Sequence, residues 1–259
     1  MAKQGIKTVT ALQAIFFDLG DTLVDLGEGR GDYEGRLIAR MGHVYDVLTE
    51  AGVVLPDREA FCRGLAADSE AQYHAALADQ RGIDIYIVMR RFFERTGIPT
   101  DDGLVTASGD AYCAGGAGAP AALRLGAREV LAALRDRGLR LGAISNTVQP
   151  AHCIHRSLIR RGLAEFFAVQ VYSSEAGVAK PHPAIFRAAL DAVGVAPESA
   201  VCVGDRLQAD VAGAQGVGMK GVLIEVAHRP EHDPAIIPDA RIRELPELLD
   251  VLTRLYDGR

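Results

Sequence analysis

The chain has 259 residues, 49% hydrophobic and 24% charged, which is enough apolar material for a full core and too much for a disordered or fibrous protein. Its 28 basic and 34 acidic side chains give a formal charge of -6, which argues against a nucleic-acid-binding surface as the main business of the molecule. Only four of the basic residues are lysines, Lys3, Lys7, Lys180 and Lys220, so a lysine inside a motif is informative.

Lys3 and Lys7 stand ahead of the apolar run Ala11 to Phe17. The run is short, meets Asp18 at once and lacks a small-residue cleavage site, so it does not read as a signal peptide. With no stretch of transmembrane length elsewhere, a soluble cytoplasmic protein is expected, with no membrane partner. Short apolar runs at Ala14 to Phe17, Leu139 to Ile144, Phe167 to Tyr172, Ala200 to Val203 and Gly221 to Val226 predict buried strands. Between the later runs lie helical stripes: Val130, Leu131 and Leu134; Ile154, Leu158 and Ile159; and Ile185, Phe186, Ala189, Leu190 and Val193, stopped by Gly194. Alternating strands and helices predict a doubly wound parallel sheet in an α/β core.

A long helical segment follows the first strand. Leu37, Met41, Val44 and Leu48 share one face, Ile85, Met89 and Phe92 another, and Leu104, Ala107 and Ala111 a third. Glycines flank it, Gly27, Gly29 and Gly31 on one side and Gly115, Gly116 and Gly118 before Pro120 on the other, as hinges would. The expected division is a core of residues 1–26 and 120–259 with an all-helical insert of residues 27–119.

Ligands of an open parallel sheet bind beyond the carboxyl ends of its strands. Those ends are polar here: FDLGDTLV (Phe17 to Val24), AISNT (Ala143 to Thr147) and VGDRLQAD (Val203 to Asp210), while AKPHPAIF (Ala179 to Phe186) opens a helix. They gather Asp18, Ser145, Asn146, Lys180, Asp205 and Asp210 at one edge. Converging carboxylates need a hard cation such as Mg2+, which takes one or two of them with waters and a substrate phosphate. A lysine beside them keeps a nucleophilic carboxylate ionised, and the hydroxyl and amide supply donors to phosphate oxygens. This composition suits phosphoryl transfer onto a carboxylate and hydrolysis of the resulting aspartyl-phosphate.

In these four motifs, their order and their spacing, the chain resembles the haloacid dehalogenase-like hydrolases, with a Rossmann-like core and a helical C1-type cap in place of the insert. The resemblance implies Asp18 as nucleophile, Ser145, Asn146 and Lys180 as phosphate-binding groups, and Lys180 also as charge stabiliser. It implies Asp18, Asp205 and the backbone carbonyl of Gly20 as magnesium ligands, Asp210 acting through water or from the outer shell, and a small phosphorylated substrate.

One position departs from the family pattern. Its phosphatases carry a second aspartate two residues after the nucleophile, as general acid and base, where this chain has Gly20 followed by Asp21. A positioned acid/base contributes about 10² to 10⁴ in rate. Asp21 either takes that role or bonds the local backbone or an arginine. A weakened member that binds a phospholigand or a protein partner is one alternative. A 2-haloacid dehalogenase is another, although those enzymes lack the pair seen here as Gly204 and Asp205. Schiff-base chemistry from a cap lysine is excluded, because no lysine lies between Lys7 and Lys180.

Other polar residues have plainer readings. His182 suits a surface turn, and His152 and His155 lack a third ligand in sequence. Arg206 either reaches a phosphate or neutralises local acid. Arg30, Tyr33, Arg36, Arg40 and His43 fit a solvated helix face as well as a substrate face. Cys62, Cys113, Cys153 and Cys202 are scattered and read as buried reduced thiols.

Overall fold

The computed structural model describes residues 11–27, 32–115 and 121–257. Six parallel strands form one sheet: β1 (Ala14–Phe17), β2 (Arg140–Ser145), β3 (Phe167–Tyr172), β4 (Ala200–Gly204), β5 (Lys220–Ile224) and β6 (Ala240–Ile242), in the spatial order β3-β2-β1-β4-β5-β6. The order reverses at β1, so the chain winds outward in both directions from it, as the α/β reading expects.

Helices cover both faces. They are α5 (Ala127–Asp136), α6 (Ala151–Arg160), the single turn α7 (Ser173–Ala176), α8 (Pro183–Val193), the single turn α9 (Gly213–Gly216) and α10 (Leu248–Asp257). Strand periodicity divides β1 between two cores. Ile15 and Phe17 join Leu131, Val201, Val203 and Leu252 on one side, while Ala14 and Phe16 join Phe186, Leu190 and Cys202 on the other. A strand buried on both faces is why these runs are continuously apolar rather than alternating.

Between β1 and α5 the chain builds α1 (Asp32–Glu50), α2 (Arg58–Ala78), α3 (Ile85–Thr96) and α4 (Asp102–Gly115). They share an apolar cluster of their own around Met41, Leu65, Met89 and Phe93, into which Cys153 of α6 also packs. The insert rests on the core through the α2–α3 connection. Gly82 N–H donates to the Gly177 carbonyl at 3.0 Å, Ala179 N–H to Gln80 at 2.9 Å, and Ile85 N–H to Val148 at 2.8 Å. A Cβ on Gly82 would lie 1.7 Å from the Ser173 carbonyl oxygen, so only glycine permits this approach.

Several predictions from the sequence need correction. β6 was not foreseen, and neither was α2 as a separate helix. The inward face of α4 is Val105, Ser108, Gly109, Tyr112 and Cys113; Ala107 is exposed, because small residues leave the helical phase ambiguous. Ile159 is exposed as well. Cys113 and Cys153 are not separate reduced thiols but a disulfide, with Cα atoms 5.8 Å apart, joined by a fold that docks α4 against α6. Cys62 and Cys202 are free and buried, as expected. Of the expected hinge residues, Gly29, Gly31, Gly116, Gly118 and Pro120 lie outside the described residues. Among the described residues, no helix is long and apolar enough to cross a membrane.

Candidate active site

Parallel register brings the motif residues to one edge. Phe17 pairs with Ala143 of β2 and Val203 of β4, so the residues that follow all emerge at the carboxyl ends. Asp18 N–H donates to the Val203 carbonyl at 2.9 Å, which continues β1 by one residue and anchors the carboxylate against β4.

Lys180 stands at the centre, 3% exposed. Its ammonium donates to Asp18 Oδ1 at 2.7 Å, Asp210 Oδ1 at 2.6 Å and the Ile144 carbonyl at 2.7 Å, which uses all three of its hydrogens. Asn146 fixes the backbone of that lysine from both sides. Its Nδ2 donates to the Lys180 carbonyl at 3.0 Å, and its Oδ1 accepts from Lys180 N–H at 2.8 Å. The Asn146 amide thus holds the loop that carries the lysine. Ser145 closes β2, buried at the same edge.

Asp210 also accepts from Arg206 N–H at 2.9 Å. Its carboxyl group occupies the space above Gly204, where a Cβ would come within 2.1 Å of the Asp210 Cγ. The glycine before Asp205 is thus required for steric room. Asp205 itself is buried, accepts from Thr22 Oγ1 at 3.2 Å and pairs with Arg229. Arg206 lies 3.8 Å from Asp205 and 3.7 Å from Glu231, which is the acid-neutralising alternative.

Burial pushes the Asp18 carboxyl up to about 6; Lys180 opposes the shift and Asp210 adds to it. Asp205 is pushed up to about 8, first by burial and then by Asp18 and Asp210, against the pull of Arg229 and Arg206. For Lys180, burial alone would lower the value, but Asp18 and Asp210 outweigh it and hold the ammonium above the ordinary lysine range. The negative charge at this edge is only partly balanced by protein cations.

Asp21 is buried with φ of 54°, in the left-handed region that Asp tolerates better than most residues. Its Oδ1 accepts from Leu26 N–H at 2.9 Å, and its Oδ2 lies 3.6 Å from both His228 and Arg229. Leu19 and Val24 carbonyls make the bridge that shapes this turn, which leaves the Gly20 carbonyl out of it.

The other polar expectations resolve simply. His182 caps α8, accepting from Ala184 N–H through Nδ1. Tyr33 donates to Glu70, Arg36 to the Leu26 carbonyl, and Arg40 lies over the Tyr112 ring; Arg30 lies outside the described residues. His152 does have companions, since its imidazole and the Cys113 and Cys153 sulfurs lie within 4.8 Å of one another.

Thr22, His228, Arg229 and Tyr73 were not anticipated. His228 and Arg229 follow β5, so the strand-end rule applied to that run would have found them. Tyr73 of α2 shares the field of Asp18, Lys180 and Arg206, and its phenol is held protonated, by burial first and then by the Asp18 charge.

Residues 12–218 match the model of the family described as haloacid dehalogenase-like hydrolase. The chain is 43% identical to phosphoserine phosphatase of Thermus thermophilus over 122 residues, 47% of this chain and 48% of that protein. It is 41% identical to glyceraldehyde 3-phosphate phosphatase of Pyrococcus furiosus over 133 residues, 50% of this chain and 54% of the relative. The chain thus spans about half the length of these curated relatives. Among solved structures, a 2-haloacid dehalogenase from Pseudomonas syringae pv. tomato DC3000 superposes with a TM-score of 0.69 at 25% identity, covering 94% of this chain and 99% of that one.

Proposed function

Because the chain belongs to the haloacid dehalogenase-like hydrolases, matching that family over residues 12–218, we propose that it is a magnesium-dependent phosphatase of a small phosphorylated metabolite, with Asp18 as covalent nucleophile. The observation that carries this reading is the Lys180 ammonium bridging Asp18 and Asp210 beside a third buried carboxylate, Asp205. Asp18, Asp205 and the Gly20 carbonyl would supply the oxygen ligands that magnesium takes, and the surplus of buried negative charge favours a cation there. When bound, the ion supplies charge stabilisation to a phosphate oxygen and orients it.

The chain's own groups do the rest. Lys180 keeps Asp18 ionised against its burial, and Asn146 holds Lys180 in place. The Asp18 carboxylate attacks phosphorus, an oxygen–phosphorus bond forms, and the bond to the leaving alkoxide breaks. Ser145 donates to a phosphate oxygen. Water then attacks the aspartyl-phosphate, which restores Asp18 and releases phosphate. The insert, residues 27–119, acts as a cap that excludes water during the first step, with Tyr73 on its site-facing side. We place this activity in the cytoplasm, on a soluble metabolite rather than nucleic acid or membrane.

The dehalogenase alternative is disfavoured by Gly204 and Asp205, which give this chain a third carboxylate that metal-free displacement of halide does not need. Gly20 favours one second reading, a weakened member that binds phospholigands without turning them over. A screen of phosphometabolites with magnesium, run beside 2-haloacids without metal, separates the three. Phosphoester turnover is expected; hydrolysis of 2-haloacids alone, or binding without turnover, overturns the reading.

With no carboxyl at position 20, and with Asp21 engaged by Leu26 and close to Arg229, the leaving oxygen departs without a strong acid. Aryl phosphates with acidic phenols are therefore expected to outrun alkyl phosphates by about 10²-fold or more. Gly20→Asp should raise alkyl phosphate turnover selectively. Gly20 is not among the residues with positive φ, and its added Cβ would meet Leu26 Cδ1 at 2.8 Å, the movable end of a side chain. Asp21→Asn is the control. A wild type indifferent to leaving-group acidity, with chemistry rate-limiting and Asp21→Asn silent, would remove the missing-acid account.

Asp205→Asn removes a charged oxygen from the proposed metal site while keeping its shape. Magnesium affinity measured by titration calorimetry should fall by about tenfold or more. Unchanged affinity would take Asp205 out of the ligand set.

A further inference from the structure

We propose that Cys113 and Cys153 form a redox modification site, a reversible covalent lock between insert and core that a peroxide closes and a small dithiol opens. The bond joins the last helix of the insert, α4, to the first turn of α6, the core helix that follows the Ser145–Asn146 loop. The two residues are 40 apart in sequence, with Cα atoms 5.8 Å apart, within the range a disulfide accepts. It adds a covalent tie to the backbone bonds at Gly82, Ile85 and Ala179 that seat the insert.

The surroundings of Cys153 mark it as the attacking thiol. His152 Nε2 lies 3.1 Å from its sulfur and an Arg156 Nη2 lies 3.7 Å away. Its place as the third residue of α6 adds the positive end of the helix. A thiolate is favoured by all three. All four sulfurs are buried, but the free ones are held as thiols: burial raises Cys62, with Arg58 partly opposing, and raises Cys202, with Asp210 adding to the shift. His152 is exposed, so solvent reaches the edge of the cluster.

The chemistry balances. The Cys153 thiolate attacks a peroxide oxygen, the sulfur–oxygen bond forms, the oxygen–oxygen bond breaks, and hydroxide leaves and is protonated to water. The Cys113 thiol then attacks the Cys153 sulfenic sulfur. The sulfur–sulfur bond forms, the sulfur–oxygen bond breaks, and a second water departs with the Cys113 proton. Two thiols have lost two electrons and one peroxide has gained them. A dithiol reverses this by exchange and becomes a disulfide itself. The closed lock holds the insert seated, so product release and substrate entry slow.

The test uses the whole chain, oxidised with hydrogen peroxide or reduced with dithiothreitol. Cross-linking is read by mass spectrometry of alkylated peptides, and mobility by amide hydrogen exchange at Gly82, Ile85 and Ala179. Peroxide should link Cys113 to Cys153 and leave Cys62 and Cys202 as thiols. Reduction should speed exchange at the three amides by about tenfold or more, reversibly. Cys113→Ser should exchange at the fast rate in both states; should that variant fail to fold, reduced and re-oxidised wild type makes the comparison without substitution. Equal exchange in the two wild-type pools overturns the proposal. So does failure of peroxide to form the link, or a zinc ion retained at Cys113, His152 and Cys153 of the purified chain in place of it. The exchange readout needs no substrate, so it stands apart from the phosphatase reading; where turnover is measurable, the reduced pool should be the faster.

Discussion

Asp18→Asn is expected to reduce turnover by about 10⁴-fold or more, because the amide cannot attack phosphorus as a carboxylate does. The substitution keeps the size of the side chain and an oxygen able to accept from Lys180. The fold should survive, and stability gives an independent check. In the wild type without metal, burial pushes this carboxyl up to about 6 from its ordinary value of 3.8. A raised carboxyl binds its proton more tightly in the folded state, so its stabilising contribution is full below the unfolded value and is lost as pH rises through the folded one. In metal-free buffer, Asp18→Asn should then unfold at the same or a higher temperature than wild type at pH 7, and the difference should shrink toward pH 4. Wild-type turnover in the variant would exclude the covalent route. A large loss of thermal stability at pH 7 would exclude the electrostatic picture of the site.

Lys180→Met is expected to damage both activity and stability. The methionine fills the slot, but Asp18, Asp210 and the Ile144 carbonyl lose their common donor. Removing one partner of a buried ion pair costs about 3–5 kcal/mol. With its main opposing charge gone, the Asp18 carboxyl is driven further up and less of it is ionised, so turnover should fall by about 10²-fold or more. Urea unfolding should show the deficit at pH 7 and a smaller one in acid, where the orphaned carboxylates take up protons. A variant with normal rates and normal stability would reduce the lysine to a spectator.

The core of this site was legible because parallel sheets put chemistry at strand ends. Asp18, Ser145 and Asp205 follow apolar runs within one or two residues, and Lys180 stood out in a chain with few lysines. The rest depended on folded geometry. That Asn146 grips the Lys180 backbone follows from a loop approach across 34 positions, and Thr22 meets Asp205 across 183; no local pattern encodes either. α2 hid because its inward side includes Ala66, Ser69 and Ala76 beside Phe61 and Leu65, a stripe too weakly apolar to stand out. β6 has three residues with Arg241 at its centre, an edge strand held by pairing with β5. The Cys113–Cys153 bond joins two parts of the chain whose mutual docking no spacing rule reveals.

The near-contact at Gly82 bears on how such molecules can be recombined. With no room for even a methyl group between this position and the Ser173 carbonyl, the insert and the 173–180 loop are matched like a key and its ward. A chimera that transplants a foreign helical insert onto this sheet would have to bring a glycine to that spot, or alter the receiving loop with it. Swapped alone, an insert with any larger residue there would ride high on its seat and leave the strand ends open to water, however well its own helices fold.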